Sequence, residues 1–216
     1  MPRSKSSQRW LREHFNDPYV KRAQAEGVRS RSTYKLGELI ERDKFLKPGM
    51  VVVDLGAAPG GWSELVRGQV GARGRVVALD ILPFDEVAGV EQLLGDFRDA
   101  AVLEQLESCL QGATVDLVLS DMAPNMSGVP SIDQARSLEL AELAAEFASR
   151  HLRPDGTFLV KLFQGAGFDG YLKDLRRAYH KVTMRKPQAS RARSAEVYAL
   201  GTGFRGVAMT AELKSE

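Results

Sequence analysis

Residues 51–63 read VVVDLGAAPGGWS, the pattern of a buried β-strand, a turn of small residues and the start of a helix. Small residues let the backbone of such a turn approach a ligand closely, and the first N–H groups of the helix are available to bind it. Dinucleotide-binding sheets carry G-x-G-x-x-G here, with the pyrophosphate on the helix N-terminus. In this chain the glycines stand at positions 56, 60 and 61. This spacing disfavours a nicotinamide oxidoreductase and favours a ligand without a pyrophosphate.

Outside this segment, short β-branched runs alternate with helical patterns. Strands are predicted at 50–55, 75–80, 90–94, 115–120, 157–163, 181–184 and 197–200. Helices are predicted at 32–45, 61–70, 98–110, 131–151 and 169–179. This alternation predicts an α/β fold with a mainly parallel seven-stranded sheet and helices on both faces. The last connection lacks a helix and favours a hairpin, so the last strand is expected to be antiparallel.

The composition limits the class of protein. The chain has 216 residues, of which 44% are hydrophobic, as expected for one globular domain. It contains no apolar run of about 18 residues, so we expect no membrane span. Its single cysteine, Cys109, excludes an internal disulfide, and His14, His151 and His180 lie too far apart to suggest a metal site. A reducing, cytoplasmic location is therefore expected.

The charge is unevenly distributed. The net charge is +2, but residues 1–35 carry nine Lys or Arg against three Asp or Glu, and residues 171–194 carry eight against one. Two basic segments flanking an acidic body indicate a polyanionic partner. Trp10 and Tyr19 could stack on unpaired bases. We divide the chain into a basic N-terminal arm (1–29), one domain (30–205) and a C-terminal tail (206–216).

Acidic residues follow the second and third predicted strands. Asp80 ends the run 75–80, where a carboxylate can accept hydrogen bonds from both hydroxyls of a ribose. Asp96 follows the weaker strand 90–94 and could meet an adenine edge. With Gly56 and Gly60, these residues resemble the nucleoside pocket of the class I S-adenosylmethionine-dependent methyltransferases.

Three charged residues belong to predicted strands or their ends. Lys161 lies inside the apolar run 157–163, and lysine is almost never fully buried without a partner. Asp121 follows the strand 115–120, and Glu196 opens the final strand. If that strand is antiparallel, all three side chains converge on the edge where the parallel strands end. Lys35, by contrast, reads on its own as an ordinary lysine in the first turn of a helix.

Four segments carry a resemblance to a known family. They are residues 30–36 (SRSTYKL), 54–63 (DLGAAPGGWS), 121–128 (DMAPNMSG) and 160–163 (VKLF). Together they closely resemble the bacterial RlmE (FtsJ/RrmJ) family of 23S ribosomal RNA ribose 2′-O-methyltransferases. The resemblance extends from about residue 8 to residue 205. The ordered set Lys35, Asp121, Lys161 and Glu196 is similar to the K-D-K-E tetrad of ribose 2′-O-methyltransferases.

The resemblance implies a Rossmann-like, class I methyltransferase that uses S-adenosylmethionine. It implies that Lys161 is the proton acceptor and that Lys35, Asp121 and Glu196 orient this lysine and the substrate. The residues that it implies for cofactor binding are Gly56, Gly60, Trp62, Asp80, Asp96 and Asp121. The implied substrate is a uridine in the A-loop of large-subunit ribosomal RNA, within the assembled 50S particle. A monomer is the default expectation.

Several alternatives remain at this point. Lys161 could stay charged and direct the hydroxyl while the proton leaves late. The substrate could be a transfer-RNA loop, or the chain could be a non-catalytic RNA-binding module in ribosome assembly. A methyltransferase acting on an amino group is disfavoured, because such enzymes commonly place an aromatic residue after a D/N-P-P turn. Residues 121–125 (DMAPN) contain none.

Overall fold

The computed structural model describes residues 17–191, 194–207 and 209. In this part of the chain the strands are β1 (Val51–Leu55), β2 (Arg75–Asp80), β3 (Glu91–Leu94), β4 (Val115–Ser120), β5 (Leu152–Phe163), β6 (Tyr179–Arg185) and β7 (Glu196–Phe204). They form a single sheet in the order β3-β2-β1-β4-β5-β7-β6. Strands β1 to β5 are parallel, and β7 is antiparallel to both β5 and β6. The predicted fold, including the antiparallel last strand, is confirmed.

Helices cover both faces of the sheet. They are α1 (Pro18–Glu26), α2 (Ser32–Asp43), α3 (Gly61–Val70), α4 (Ala100–Leu110), α5 (Pro130–His151) and α6 (Phe168–Ala178). Successive side chains of a strand point to opposite faces, so Val52 packs in the apolar cluster with α2 and α3, and Val53 in that with α4, α5 and α6. Among the residues described, no helix has the length and apolarity needed to cross a membrane.

The first two helices have clear local causes. The side chain of Asp17 accepts a hydrogen bond from the backbone N–H of Tyr19 (3.0 Å) and caps α1, which ends at Gly27 in a left-handed conformation (φ 68°). Part of the basic N-terminal arm is therefore a helix, whereas Trp10 lies outside the described residues. Helix α2 ends two residues before the predicted boundary, because Lys44 adopts a left-handed conformation (φ 53°).

The strand order determines where a ligand can bind. The chain leaves β1 for β2 on one side and β4 pairs with β1 on the other, so the topological switch point lies between β1 and β4. In such sheets ligands bind outside the carboxyl ends of the strands at this point. Glu196 pairs with Phe163, so the beginning of β7 lies beside the carboxyl end of β5. The predicted convergence of the charged residues on this edge has its structural basis here.

Candidate active site

The loop after β1 lies tightly against its surroundings. Gly56 has a φ of 81°, and a β-carbon there would lie 2.8 Å from the backbone nitrogen of Met122. Gly60 has a φ of 94°, and a β-carbon would lie 2.9 Å from a methyl group of Val87. Both positions therefore require glycine. The first turn of α3 follows directly, with its N-terminal N–H groups at this edge of the sheet.

Asp80 holds the glycine loop in place. Its Oδ2 accepts a hydrogen bond from the backbone N–H of Ala58 (2.8 Å), and its Oδ1 accepts one from that of Leu82 (2.8 Å). Each oxygen keeps a further lone pair for a ribose hydroxyl. Gly95, after β3, donates its N–H to the backbone oxygen of Asp80 (2.9 Å), which brings the two strand ends together.

Asp96 lies in the loop after β3. Its carboxylate forms an ion pair with Arg98 (Oδ2 to Nη2, 2.6 Å). The hydrogen bond from this guanidinium lowers the pKa of Asp96 below its ordinary value. An ionised carboxylate at this position can accept hydrogen bonds from a nucleoside, as the sequence predicts for Asp96.

The side chain of Trp62 connects two helices. It is 3% exposed, and its indole Nε1–H donates to the backbone oxygen of Ser32 at the start of α2 (2.8 Å). Its ring also packs against that of Tyr198, with centroids 5.8 Å apart. The indole therefore positions α2 against α3. What Trp62 can offer a cofactor is its backbone N–H, because this group precedes the first intrahelical hydrogen bond, from Glu64 N to Gly60 O (3.0 Å).

The four predicted tetrad residues form two ion pairs. Lys161 Nζ lies 3.1 Å from Asp121 Oδ1 and donates to the backbone oxygen of Asp121 (2.5 Å). Lys35 Nζ lies 2.6 Å from Glu196 Oε1. Each of the four side chains is less than a fifth exposed, and that of Lys161 is 7% exposed. Buried charges are tolerated when they are paired in this way.

Tyr198 joins the two ion pairs into one network. Its hydroxyl donates to Asp121 Oδ1 (2.8 Å) and accepts from Lys35 Nζ (3.5 Å). Ser32 Oγ donates to Asp121 Oδ2 (2.8 Å). Neither residue was predicted from the sequence. The period of two along β7 places Tyr198 on the face of Glu196, and Ser32 stands one helical turn before Lys35, so these spacings could have indicated them.

The electrostatics of the network depend on its cations. Burial opposes ionisation of Asp121, but Lys161 and Lys35, followed by the hydrogen bonds from Tyr198 and Ser32, outweigh it and hold the pKa of Asp121 below its ordinary value. Burial and the negative charge of Asp121 raise the pKa of the Tyr198 hydroxyl. These shifts favour the anionic form of Asp121 and the protonated hydroxyl of Tyr198, which donates to it.

Asp54 is a third residue that was not predicted from the sequence. Its side chain is buried in β1, where Oδ2 accepts a hydrogen bond from Ser63 Oγ (2.6 Å) and Oδ1 has no partner among the residues described. Burial raises the pKa of Asp54 to about 7, with smaller contributions from Asp121 and Asp80 and an opposing one from Ser63. An acid inside an apolar strand is the same kind of signal that singled out Lys161.

The described residues were also compared with the ligand sets that hold metal ions in proteins. Within residues 17–191, 194–207 and 209, no group of three or more His, Cys, Asp and Glu side chains is arranged to hold a metal ion. What the edge of the sheet does offer is a glycine loop with hydrogen-bonding groups beside a buried network of paired charges.

The strand order, the glycine loop and the antiparallel β7 define a class I methyltransferase fold of the Rossmann-like type. The chain belongs to the FtsJ-like methyltransferase family, whose model matches residues 28–204. The family expected from the four sequence segments is thus confirmed.

Individual relatives agree with this assignment. The chain is 68% identical over 203 residues to a protein of Xanthomonas euvesicatoria named ribosomal RNA large subunit methyltransferase E, covering 94% of this chain and 97% of the relative. A Plasmodium falciparum structure described as a ribosomal RNA methyltransferase is 25% identical, with a TM-score of 0.72, over 82% of this chain and 98% of that one. Fibrillarin from Aeropyrum pernix, solved with bound S-adenosylmethionine, shares the fold at 15% identity and a TM-score of 0.50, over 73% and 68% of the two chains.

Proposed function

We propose that this methyltransferase transfers a methyl group from S-adenosylmethionine to the ribose 2′-hydroxyl of a uridine in the A-loop of 23S ribosomal RNA. The observation that carries the proposal is the buried contact between Lys161 and Asp121 at the carboxyl edge of the sheet, with 3.1 Å between Nζ and Oδ1. The name of the Xanthomonas relative supports large-subunit ribosomal RNA as the substrate.

The residues around the glycine loop fit this cofactor. Gly56 and Gly60 keep the loop free of side chains, and Asp80 and Asp96 offer carboxylate oxygens to hydroxyl and amino groups of a nucleoside. The backbone N–H of Trp62 and the Asp121 carboxylate can bind the remaining polar groups. S-adenosylmethionine, when bound, supplies an electrophilic methyl group on a sulfonium sulfur.

Lys161 is suited to manage the hydroxyl proton. An ammonium group has three N–H donors. In Lys161, two of the three bond directions point toward the backbone oxygen and the carboxylate of Asp121. The third direction remains for the ribose oxygen. As a neutral amine, Lys161 would accept the proton that the ribose hydroxyl loses, and the methyl group would pass to the oxygen as its bond to the sulfonium sulfur breaks and leaves a neutral thioether. As an ammonium, it directs the hydroxyl and the proton leaves afterwards to solvent.

Lys35, Asp121 and Glu196 orient Lys161 and the substrate and do not themselves form or break bonds. Each is held by at least two groups, so the site is preorganised and Lys161 cannot move away from Asp121 without breaking an ion pair. Positioning two reactants in line can supply much of the rate acceleration of such a displacement. The turn at residues 121–125 carries no aromatic ring to hold a base, which favours a ribose over an amino-group target.

The basic segments at both ends of the domain would contact the RNA. Arg191 belongs to the connection between β6 and β7, and Tyr19 belongs to α1. The sequence predicts RNA contacts for Arg193 and Trp10 as well, but these two residues lie outside the described part of the chain. Phosphate contacts made by such residues determine affinity and make it dependent on salt.

We further propose a monomer, a cytoplasmic location, the 50S particle as substrate, and the domain division given above.

The test is a map of ribose methylation. We expect mass spectrometry of RNA from a strain that lacks the protein to show the loss of one 2′-O-methyl mark, on a uridine in the A-loop. Expression of the chain should restore this mark, and expression of a Lys161→Ala variant should not. A mark lost from transfer RNA instead would assign the substrate differently, and no lost mark would favour a non-catalytic RNA-binding module.

A further inference from the structure

A basic cavity opens beside the Lys35–Glu196 ion pair. It has a volume of about 280 Å³, and its lining residues are Arg31, Lys35, Arg191, Ser194 and Glu196. Three of these five are cations and one is an anion. Because Glu196 already binds Lys35 (2.6 Å) and accepts a hydrogen bond from Ser190 Oγ (3.0 Å), the two arginines dominate the charge of the remaining wall.

Both arginines are held by one carboxylate. Asp17 Oδ2 accepts a hydrogen bond from Arg31 Nη1 and lies 3.4 Å from Arg191 Nε. The side chain of Asp17 is only 8% exposed, and Arg31 also donates to the backbone oxygen of Ala189. Asp17 therefore connects the start of α2 to the β6–β7 connection. It stands ahead of residues 28–204, the part that matches the family model.

The arrangement suits a phosphate group. A guanidinium presents five N–H donors that match phosphate oxygens, and Asp17 and Ala189 take only some of those of the two arginines. Arg31 Nε is buried without a hydrogen-bond partner among the residues described. The 3′-phosphate of a nucleotide is attached to the carbon next to the one that carries the 2′-hydroxyl. A phosphate held in this cavity would therefore bind the ribose that carries that hydroxyl at the tetrad.

Building on the proposed function, we propose that this cavity binds a phosphodiester group of the RNA next to the methylated ribose. Asp17 is a positioning residue, because it acts through Arg31 and Arg191. Such a contact is made equally in the ground state and the transition state, so its loss raises KM and leaves kcat unchanged. It carries no sequence information, because phosphate contacts fix register rather than read bases.

The experiment compares wild type with Asp17→Asn, which keeps the helix cap because asparagine caps as well as aspartate. We would measure transfer of labelled methyl groups from S-adenosylmethionine to large ribosomal subunits from a strain without the enzyme, at several salt concentrations. We expect KM to rise about tenfold, the effect of losing a hydrogen bond to a charged group. The slope of log KM against log salt should stay close to that of wild type, because both arginines keep their charge and lose only the group that positions them.

Asp43→Asn is the matched control. Asp43 is a similarly buried carboxylate (13% exposed) that binds Arg185, at 2.5 Å between Oδ1 and Nη2, and it does not line the cavity. Its KM and salt slope should equal those of wild type. Asp17→Asn overturns the inference if it matches this control, or if its loss lies in kcat or in the affinity for S-adenosylmethionine.

Arg191→Gln keeps the inference testable if Asp17→Asn fails to fold. This variant leaves the α1 cap intact and should also raise KM. Because it removes a cation, the slope of log KM against log salt should fall by about 0.7, as for one phosphate contact to single-stranded RNA. An unchanged KM and slope would contradict the inference. Failure of the proposed function looks different, because the wild-type enzyme itself would then not methylate a ribose in the large subunit. That result would overturn both proposals.

Discussion

Replacement of Asp54 by asparagine should change how stability depends on pH. Burial raises the pKa of Asp54 from 3.8 to about 7 in the folded chain. The difference is about 3 pKa units, and each unit corresponds to about 1.4 kcal/mol. Ionised Asp54 therefore costs the folded state on the order of 4 kcal/mol at pH values above about 7.

The sign follows from proton binding. Between pH 4 and pH 7 the folded chain retains a proton on Asp54 that the unfolded chain has released, so the stability of the wild type falls as the pH rises through this range. Between pH 5 and pH 8 this fall amounts to about 3 kcal/mol. Asp54→Asn lacks the ionisable group but keeps an oxygen that can accept from Ser63. Its buried amide N–H groups add a cost that does not depend on pH.

Urea unfolding at pH 5 and pH 8, followed by tryptophan fluorescence, measures the effect. The stability of Asp54→Asn relative to wild type should rise by about 3 kcal/mol between the two pH values. Asp43→Asn is the control, because a hydrogen bond from Arg185 lowers the pKa of Asp43. Its stabilising contribution is lost only as the pH falls below about 4, so its difference from wild type should be constant from pH 5 to pH 8. A constant difference for Asp54→Asn as well would refute the account of this buried acid.

Other predictions concern the reaction, the RNA and the glycine loop. Lys161→Ala should abolish methyl transfer and leave binding of S-adenosylmethionine nearly unchanged in calorimetry, and turnover at the wild-type rate would remove this lysine from the mechanism. Affinity for the RNA substrate should fall steeply with salt, and neutralising Arg191 and Arg193 together should flatten the slope of a filter-binding series; a salt-independent affinity would contradict the assignment of the basic segments. Gly56→Ala should lose more than about 2 kcal/mol in thermal unfolding, since its φ is 81° and its β-carbon would meet backbone atoms at 2.8 Å. Gly68→Ala in α3, where the new β-carbon meets no atom within 4 Å outside its chain neighbours and its own helix backbone, should gain about 0.5–1 kcal/mol instead.

The alternation of strands and helices could be predicted because it depends on local periodicity. Strand β2 and helix α3 have the predicted bounds, but β5 begins at Leu152 rather than at residue 157. Residues 153–156 (RPDG) are typical of a turn, and Asp155 does have a positive φ of 62°. The additional pairing of Leu152 with Val115 across a register shift is a tertiary interaction, which the local pattern does not contain.

Some residues of the candidate site could likewise be predicted from local sequence, and others depend on tertiary contacts. Lys161 could be singled out because a charge stands out in an apolar strand, and Lys35 only through the family resemblance. For Tyr198, the period of two along β7 gives the face, shared with Glu196, but not the role, which depends on a hydrogen bond to Asp121 across the sheet edge. Asp17 likewise reads as a helix cap, and its contacts with two distant arginines exist only in the folded chain.

The most direct test follows a labelled methyl group to its acceptor atom. Large ribosomal subunits from a strain without the enzyme would be treated with the purified chain and labelled S-adenosylmethionine, and the RNA would then be digested to nucleosides. The account predicts label in 2′-O-methyluridine with the wild type and none with Lys161→Ala. Label on a base, or equal labelling by both proteins, would contradict it.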